Sequence, residues 1–160
     1  MQRPAPIDIE MKFEGGNMIT ETDLKGKIIY ANRLFMEMSG YSKDELIGQP
    51  HSLIRHPDMP KCCFRTMWET VKTGEAWEGY VKNLRKDGAY YWVVVTVTPK
   101  YNEEKELCGF IAVRKPPGEI TLEEIKAKYQ QMIESEACQR EENIFIPEDF
   151  IANEEFIAVS

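Results

Sequence analysis

The chain has 160 residues, of which 42% are apolar, 11% aromatic and 29% charged, a composition that predicts one compact domain with an appendage. No stretch approaches the roughly 18 uninterrupted apolar residues of a membrane-spanning helix, and the N-terminus has no apolar region of the signal-peptide type. We therefore expect a cytoplasmic protein that does not cross the membrane. The net charge is −7, and residues 118–160 hold eleven acidic and three basic residues, so the body of the chain is nearly neutral and offers no basic surface to nucleic acid.

The spacing of apolar, glycine and proline residues predicts eight elements in the body of the chain. They are two strands at 18–22 and 27–31, helices at 32–39, from 42 to about 48 and from 58 to about 73, and strands at 77–86, 89–100 and 107–115. Before them, residues 7–13 alternate apolar and charged side chains, which is typical of an extended segment. The order β-β-α-α-α-β-β-β predicts an α+β fold with a five-stranded antiparallel sheet and short helices on one face.

Polar residues and glycine mark the expected helix ends. Asn32 is the predicted N-cap of the first helix and Gly40 its end, while Ser42 opens a capping box in the second. Asp58 is the predicted N-cap of the third helix. Thr121 begins another capping box, which predicts an amphipathic C-terminal helix over 121–137.

These patterns divide the chain into an N-terminal cap (1–13), a central domain (14–116) and a C-terminal helix with an acidic tail (117–160). The boundary at 116–118 reads Pro-Pro-Gly, a combination that ends regular structure. The last residues, 144–160, are either a docking arm or disordered.

Period-two alternation predicts which strand side chains face the helices. Trp77, Val81 and Asn83 share one face, and a buried amide at Asn83 needs a hydrogen-bond partner because an unpaired one costs roughly 1–3 kcal/mol. That partner is either the backbone or a ligand. The reverse face carries several apolar side chains, which we expect to pack against 7–13, the C-terminal helix or another copy of the chain; they are Tyr80, Trp92, Val94 and Phe110.

The central segment Arg55-His56-Pro57-Asp58 places a cation, a titratable ring and a carboxylate just before a predicted helix. This chemistry suits a phosphate-bearing ligand. Taken singly, the same residues also fit an ion pair for Arg55, an exposed loop position for His56 and a simple cap for Asp58. The chain has two histidines and lacks the spacing of a zinc site or of an activated nucleophile, so no metal site and no enzyme activity are expected.

Several motifs resemble those of PAS sensor domains over residues 14–116. They are Asn-x-x-Phe after the second strand, Gly-Tyr-Ser-x-x-Glu-Leu-Ile-Gly, and a Lys-Asp-Gly hairpin followed by Tyr-Trp-Val. A narrower set of matches is similar to the FAD-binding PAS domain of the bacterial aerotaxis receptor family; it comprises Gly48-Gln49-Pro50-His51, Ile54–Lys61, Phe64, Met67-Trp68, Gly74-Glu75-x-Trp77-x-Gly79, Val81-Lys82-Asn83 and Tyr91-Trp92-Val93. That resemblance implies FAD as the cofactor. The implied FAD-binding residues are Arg55, His56, Asp58, Trp68 and Asn83, with Asn32, Phe64, Trp77 and Tyr91 as further candidates lining the pocket.

The resemblance also implies a role as a redox or energy-taxis sensor, with two departures from related families. Light-sensing flavin PAS domains carry a reactive cysteine near the position of His51 and a second amide near Val93, and both are missing here. Aerotaxis receptors continue into a membrane anchor, whereas this sequence ends at Ser160. We therefore expect the output to pass to a separate protein, such as a membrane-bound chemotaxis transducer, through helix 121–137, which could equally form a homodimer.

Three other functions stay open at this point. A haem-binding gas sensor would use His51 or His56 as the axial ligand. A cofactor-free PAS module would serve only in protein interaction. A flavoenzyme would need a substrate base or nucleophile that the sequence does not supply.

Overall fold

The computed structural model describes residues 3–59 and 61–134, and the expected α+β order is confirmed there. The elements are β1 Met18–Asp23, β2 Ile28–Ala31, α1 Arg33–Ser39, α2 Lys43–Leu46, a 3₁₀ turn His51–Ile54, α3 Lys61–Lys72, β3 Trp77–Leu84, β4 Tyr90–Tyr101, β5 Leu107–Lys115 and α4 Glu119–Glu134. No helix in these ranges is both long and apolar enough to span a membrane. The predicted tail at 144–160 lies outside the described residues.

Three of the predicted helix signals are confirmed. The Asn32 side chain accepts a hydrogen bond from the backbone of α1 at 3.0 Å, which satisfies one of the free N–H groups of the first turn. Gly40 ends α1 with φ of 82°, a left-handed conformation that suits glycine. Ser42 and Glu45 form the reciprocal capping box of α2.

Two capping predictions are wrong. Helix α3 begins at Lys61, so Asp58 does not occupy its N-cap; the Asp58 N–H instead donates to Nδ1 of His56 at 3.1 Å. Helix α4 begins at Glu119, and the N–H of Leu122 donates to the carbonyl of Gly118 at 2.9 Å. Helical hydrogen bonding therefore starts directly after the Pro-Pro-Gly boundary, and Thr121 lies inside the helix.

The sheet is antiparallel throughout, with strand order β2-β1-β5-β4-β3. One face packs against α1, α2 and α3 and forms the core. The buried side chains that this face contributes are Met18, Thr20, Thr22, Val81, Asn83, Tyr91, Val93, Val95, Val97, Phe110, Ala112 and Arg114. The strands β2 and β3 form the two sheet edges.

Phe110 lies on the helix side, contrary to the predicted outer position. It is paired in register with Thr22 of β1 and Pro99 of β4, and its ring centroid is 6.3 Å from that of Trp68 in α3. The alternation of side chains along β5 predicts which residues share a face. Only the pairing of β5 with β1 and β4 decides which of the two faces points toward the helices.

The outer face of β3 and β4 is covered by α4, one of the three predicted partners. The ring of Tyr129 stacks on that of Trp92 with centroids 6.2 Å apart, and the Tyr129 hydroxyl donates to the carbonyl of Tyr80 at 2.7 Å. The N-terminal segment is extended, as predicted, and runs beside the start of β4, where Met11 N–H donates to the Tyr90 carbonyl at 2.7 Å. Helix α4 is therefore packed on the outer face of the sheet, and the N-terminal segment lies beside β4.

Candidate cofactor site

Three buried polar side chains from distant parts of the sequence meet between the sheet and the helices. Arg114 Nη1 donates to Thr20 Oγ1 at 3.0 Å, and Arg114 Nη2 lies 3.0 Å from His51 Nε2. All three side chains have no exposed surface. The Phe35 ring of α1 covers the cluster, with the Arg114 guanidinium 5.1 Å from its centroid.

The hydrogen bonds assign the proton on His51. A guanidinium can only donate, so Nε2 of His51 must accept from Arg114, and the Thr20 hydroxyl, 3.1 Å away, can donate to the same nitrogen. The ring proton therefore sits on Nδ1, a buried atom without a hydrogen-bond partner. Burial and the neighbouring Arg114 hold the pKa of His51 well below its usual value, so the ring is neutral at physiological pH and presents an N–H donor to the interior.

Arg114 is a buried cation that forms no ion pair within the described residues. Burial lowers its pKa to about 10, which still leaves it charged near neutral pH. Its Nε–H has no partner. Because an unpaired buried charge costs several kcal/mol, this arrangement favours a ligand that brings negative charge or strong acceptors.

A second polar group lies on β3 and β4. Asn83 is fully buried on the helix side, as predicted, and its amide nitrogen and oxygen both lack a hydrogen-bond partner. Tyr91, its neighbour across the sheet, is also buried, and its hydroxyl lies near the Asn83 amide without a hydrogen bond of normal geometry. Burial raises the pKa of Tyr91, so the phenol stays protonated. The sequence left open a backbone partner for Asn83, and the side chain has none.

The segment from Arg55 to Met59 lies along the open edge of β3. Arg55 is bridged to Asn83 through the backbone, and its guanidinium lies 5.3 Å from the centroid of the Phe64 ring. The N–H of His56 donates to the carbonyl of Lys82 at 3.3 Å. This segment therefore sits at the rim of the contact between the sheet and α3.

His56 and Asp58 face each other at that rim. The side chain of His56 is 5% exposed and that of Asp58 is 68% exposed. Because Nδ1 of His56 accepts from Asp58 N–H, the ring proton lies on Nε2, and burial together with Lys82 lowers the pKa of His56 to about 4. The Asp58 carboxylate lies 3.5 Å from the Lys82 ammonium, which fixes this segment to β3.

The remaining predicted residues divide into two groups. Phe64 is fully buried, and Trp68 packs against the core beside Phe110, so both lie with Asn83 and Tyr91 between the sheet and α3. Asn32 uses its amide oxygen to cap α1 and its amide nitrogen to donate to the carbonyl of Asn17 at 2.9 Å. Trp77 is half-buried and is paired with the inward-facing Val97 of β4, so it lies on the helix side of the sheet and lines a groove at the edge of β3 between α3 and α4.

Sequence reasoning missed Thr20 and Arg114, and it considered His51 only as a haem ligand. A signal for Arg114 was present, because it follows Phe110 and Ala112 in the period-two pattern of β5. A charged residue that continues an apolar row indicates a buried functional group. Its contacts with β1 and the 3₁₀ turn could not be read from local sequence.

Comparison with known proteins shows which family and which relatives this chain is similar to. A family profile described as "PAS fold" matches residues 28–114. The aerotaxis receptor of Escherichia coli (strain K12) is 46% identical over 110 residues, which is 69% of this chain and 21% of the receptor. The nitrogen fixation regulatory protein of Klebsiella oxytoca is 31% identical over 118 residues, or 73% of this chain and 24% of that protein. This chain thus spans about a fifth to a quarter of the length of these relatives.

Solved structures show the same fold. A PAS domain from Colwellia psychrerythraea is 29% identical, has a TM-score of 0.58 and matches 63% of this chain and 86% of its own. The light-state structure of the blue-light photoreceptor Aureochrome1 LOV has a TM-score of 0.62 at 19% identity, with 71% of this chain and 91% of that chain covered.

Proposed function

Because this chain belongs to the PAS fold family, as a sensor domain related to the aerotaxis receptor, we propose that it binds FAD and relays the redox state of the flavin to a separate chemotaxis signalling protein. The flavin ring would lie between the sheet and α3, within reach of Asn83, Tyr91, His51 and Arg114. The protein would act as a redox sensor, not as an enzyme, and would work in the cytoplasm.

The observation that carries this proposal is the set of buried polar atoms without partners. They are both amide atoms of Asn83, the Tyr91 hydroxyl, Nδ1 of His51 and Nε of Arg114. The pyrimidine edge of a flavin alternates carbonyl acceptors with an N–H donor, which a primary amide can match with one donor and one acceptor. The donors on His51 and Arg114 suit further acceptor atoms of the same ring. The residues present therefore fit a flavin.

The chain supplies two fixed positive features to such a site. Arg114 holds its charge inside a buried cluster, and the Nδ1–H of His51 is a second buried donor, without a hydrogen-bond partner. Bound FAD supplies reversible electron uptake. Fixed donors and charges favour the extra negative charge of a reduced ring, and the cluster in turn is attracted by that charge.

The rim segment suits the phosphates of FAD. Arg55 presents a planar cation at the edge of the site, above the Phe64 ring, and such a fork binds phosphate oxygens well. His56 and Asp58 hold the segment to β3 through Lys82. In this proposal His56 and Asp58 support FAD binding by keeping Arg55 in place, in addition to any direct contact that they make with the cofactor.

The two alternative functions, a haem-binding gas sensor and a cofactor-free interaction module, fit the described residues less well. A haem iron would need an unprotonated imidazole nitrogen, but the unprotonated nitrogens, Nε2 of His51 and Nδ1 of His56, already accept hydrogen bonds from Arg114 and from the Asp58 N–H. The other nitrogen of each ring carries the proton. A site without any ligand would leave the buried polar atoms unpaired, at a cost of roughly 1–3 kcal/mol each.

We further propose that α4 carries the output. It packs on the outer face of the same strands whose inner face holds Asn83 and Tyr91, through Trp92 and Tyr80. A change in the position of β3 or β4 would therefore shift the surface on which α4 packs. The partner would be a membrane-bound chemotaxis transducer or a similar signalling protein, and a homodimer through the same helix is the alternative assembly.

A visible spectrum of protein purified without added cofactor tests the proposal. We expect flavin absorption, and release of FAD on acid treatment, identified by mass. Asn83→Ala and Arg55→Ala should each lower flavin content while the protein stays folded, whereas the exposed control Asn17→Ala should not. A haem band, colourless protein that ignores added FAD, or equal flavin content in all variants would contradict the proposal.

A further inference from the structure

The N-terminal segment crosses the turn between β3 and β4 and reaches the rim segment (55–59) of the proposed cofactor site. The N–H of Ile7 donates to the carbonyl of Gly88 in that turn at 2.9 Å. A Cβ atom added to Gly88 would lie 2.5 Å from the carbonyl oxygen of Ala5, so the segment passes directly over the turn. Two residues further toward the N-terminus, the side chain of Arg3 donates to the carbonyl of Arg55. These contacts hold Arg3 at the rim.

The charge of Arg3 also acts on two other side chains at the rim. Burial and Lys82 lower the pKa of His56 to about 4, and the positive charge of Arg3 adds to that effect. Burial raises the pKa of the Tyr41 hydroxyl, and the charge of Arg3 opposes that rise. Tyr41 follows Gly40, which ends α1. The Arg3 guanidinium therefore lies where the rim segment and the end of α1 come together.

Arg3 has donors to spare at this position. A guanidinium carries five N–H groups and no acceptor, and the hydrogen bond to the Arg55 carbonyl uses one side of it. Burial lowers the pKa of Arg3, although its side chain is partly exposed, and no described carboxylate forms an ion pair with it. A cation that is partly desolvated and lacks an acidic partner favours a ligand with negatively charged oxygen atoms.

The side chains at the rim carry more positive than negative charge. Arg3, Arg55 and Lys82 bring three positive charges, and the Asp58 carboxylate, 3.5 Å from the Lys82 ammonium, brings one negative charge. His56 is neutral near pH 7 because its pKa is about 4. The excess of two positive charges is opposite to the charge of a diphosphate, which carries one negative charge on each phosphate.

We propose that Arg3 binds the diphosphate of FAD together with Arg55, so that the N-terminal segment completes the cofactor site. This inference rests on the proposed binding of FAD. The planar guanidinium is the side-chain group that best matches phosphate oxygens. The hydrogen bond from Arg3 to the Arg55 backbone keeps both cations at the same part of the rim.

Titration of the full chain, freed of cofactor, with FAD and with riboflavin tests this role. Riboflavin has the same ring system without the phosphates. We expect Arg3→Ala and Arg3→Gln each to weaken FAD binding about tenfold and to leave riboflavin binding unchanged. Glutamine keeps an N–H donor for the Arg55 carbonyl, so a loss in this variant reports the missing charge. Lys25→Ala removes an exposed cation from the turn between β1 and β2 and should change neither affinity.

Three results would overturn the inference while FAD binding itself stands. FAD could bind Arg3→Ala as tightly as the wild type. Arg3→Gln could bind FAD like the wild type while Arg3→Ala does not, which would make Arg3 a structural support of the rim segment. An equal loss of FAD and riboflavin affinity would place the effect at the ring and not at the phosphates. Wild-type protein that binds neither flavin would overturn both this inference and the proposed function.

Discussion

Replacing the buried cation Arg114 with methionine should strengthen the fold of the cofactor-free protein and weaken flavin retention. Methionine has similar length and no charge to bury. The Thr20 hydroxyl, 3.1 Å from Nε2 of His51, can still donate to that nitrogen. The two atoms that Arg114 contacts in the wild type, Thr20 Oγ1 and His51 Nε2, therefore still have each other as partners in the variant.

The expected size follows from the burial of the guanidinium. Burial lowers the pKa of Arg114 to about 10, which corresponds to about 3 kcal/mol against the charged form in the folded protein. The variant loses two hydrogen bonds worth about 1 kcal/mol each, and it keeps the contact between the Thr20 hydroxyl and His51 that is already present. We expect Arg114→Met to raise the free energy of unfolding of the cofactor-free protein by about 1–2 kcal/mol.

Urea unfolding of protein freed of cofactor gives the stability, and flavin absorbance per protein gives the retention. Lys115→Met is the matched control, because it removes a charge from the next residue, which is exposed, and should change stability by less than about 0.5 kcal/mol. If Arg114→Met destabilises the cofactor-free protein, the guanidinium is a net structural contact and the reasoning fails.

Three further predictions concern pH, α4 and the cap of α1. Burial lowers the pKa values of His51 and His56, the latter to about 4, so the unfolded chain takes up protons first and stability should fall as pH drops from 6.5 toward 4. His56→Asn keeps an acceptor in place of Nδ1 and should flatten this fall; an unchanged slope in urea midpoints would contradict it. Tyr129→Phe removes the hydrogen bond to Tyr80 and should cost about 1 kcal/mol with faster amide exchange in α4, and unchanged exchange would show that the helix is held by packing alone. Asn32→Ala should cost about 1–2 kcal/mol through the lost cap at normal flavin content, and a large loss of flavin would instead support the predicted cofactor-binding role of Asn32.

The sequence determined the local structure well because its signals act over short distances. The Asn32 cap, the end of α1 at Gly40 and the capping box at Ser42 each depend on atoms within four residues. Strand alternation also placed Asn83 on the helix side. The capping predictions at Asp58 and Thr121 were wrong because α3 begins at Lys61 and α4 begins at Glu119, directly after the Pro-Pro-Gly boundary.

Tertiary structure alone decided the composition of the polar cluster and the inward turn of β5. Thr20, His51 and Arg114 come from segments separated by 31, 63 and 94 residues. The register of β1 and β5, together with the packing of the 3₁₀ turn, brings them within hydrogen-bond distance. Register likewise placed Phe110 in the core. Alternation along one strand defines two faces but not their orientation, which is fixed by pairing energies summed over the whole sheet.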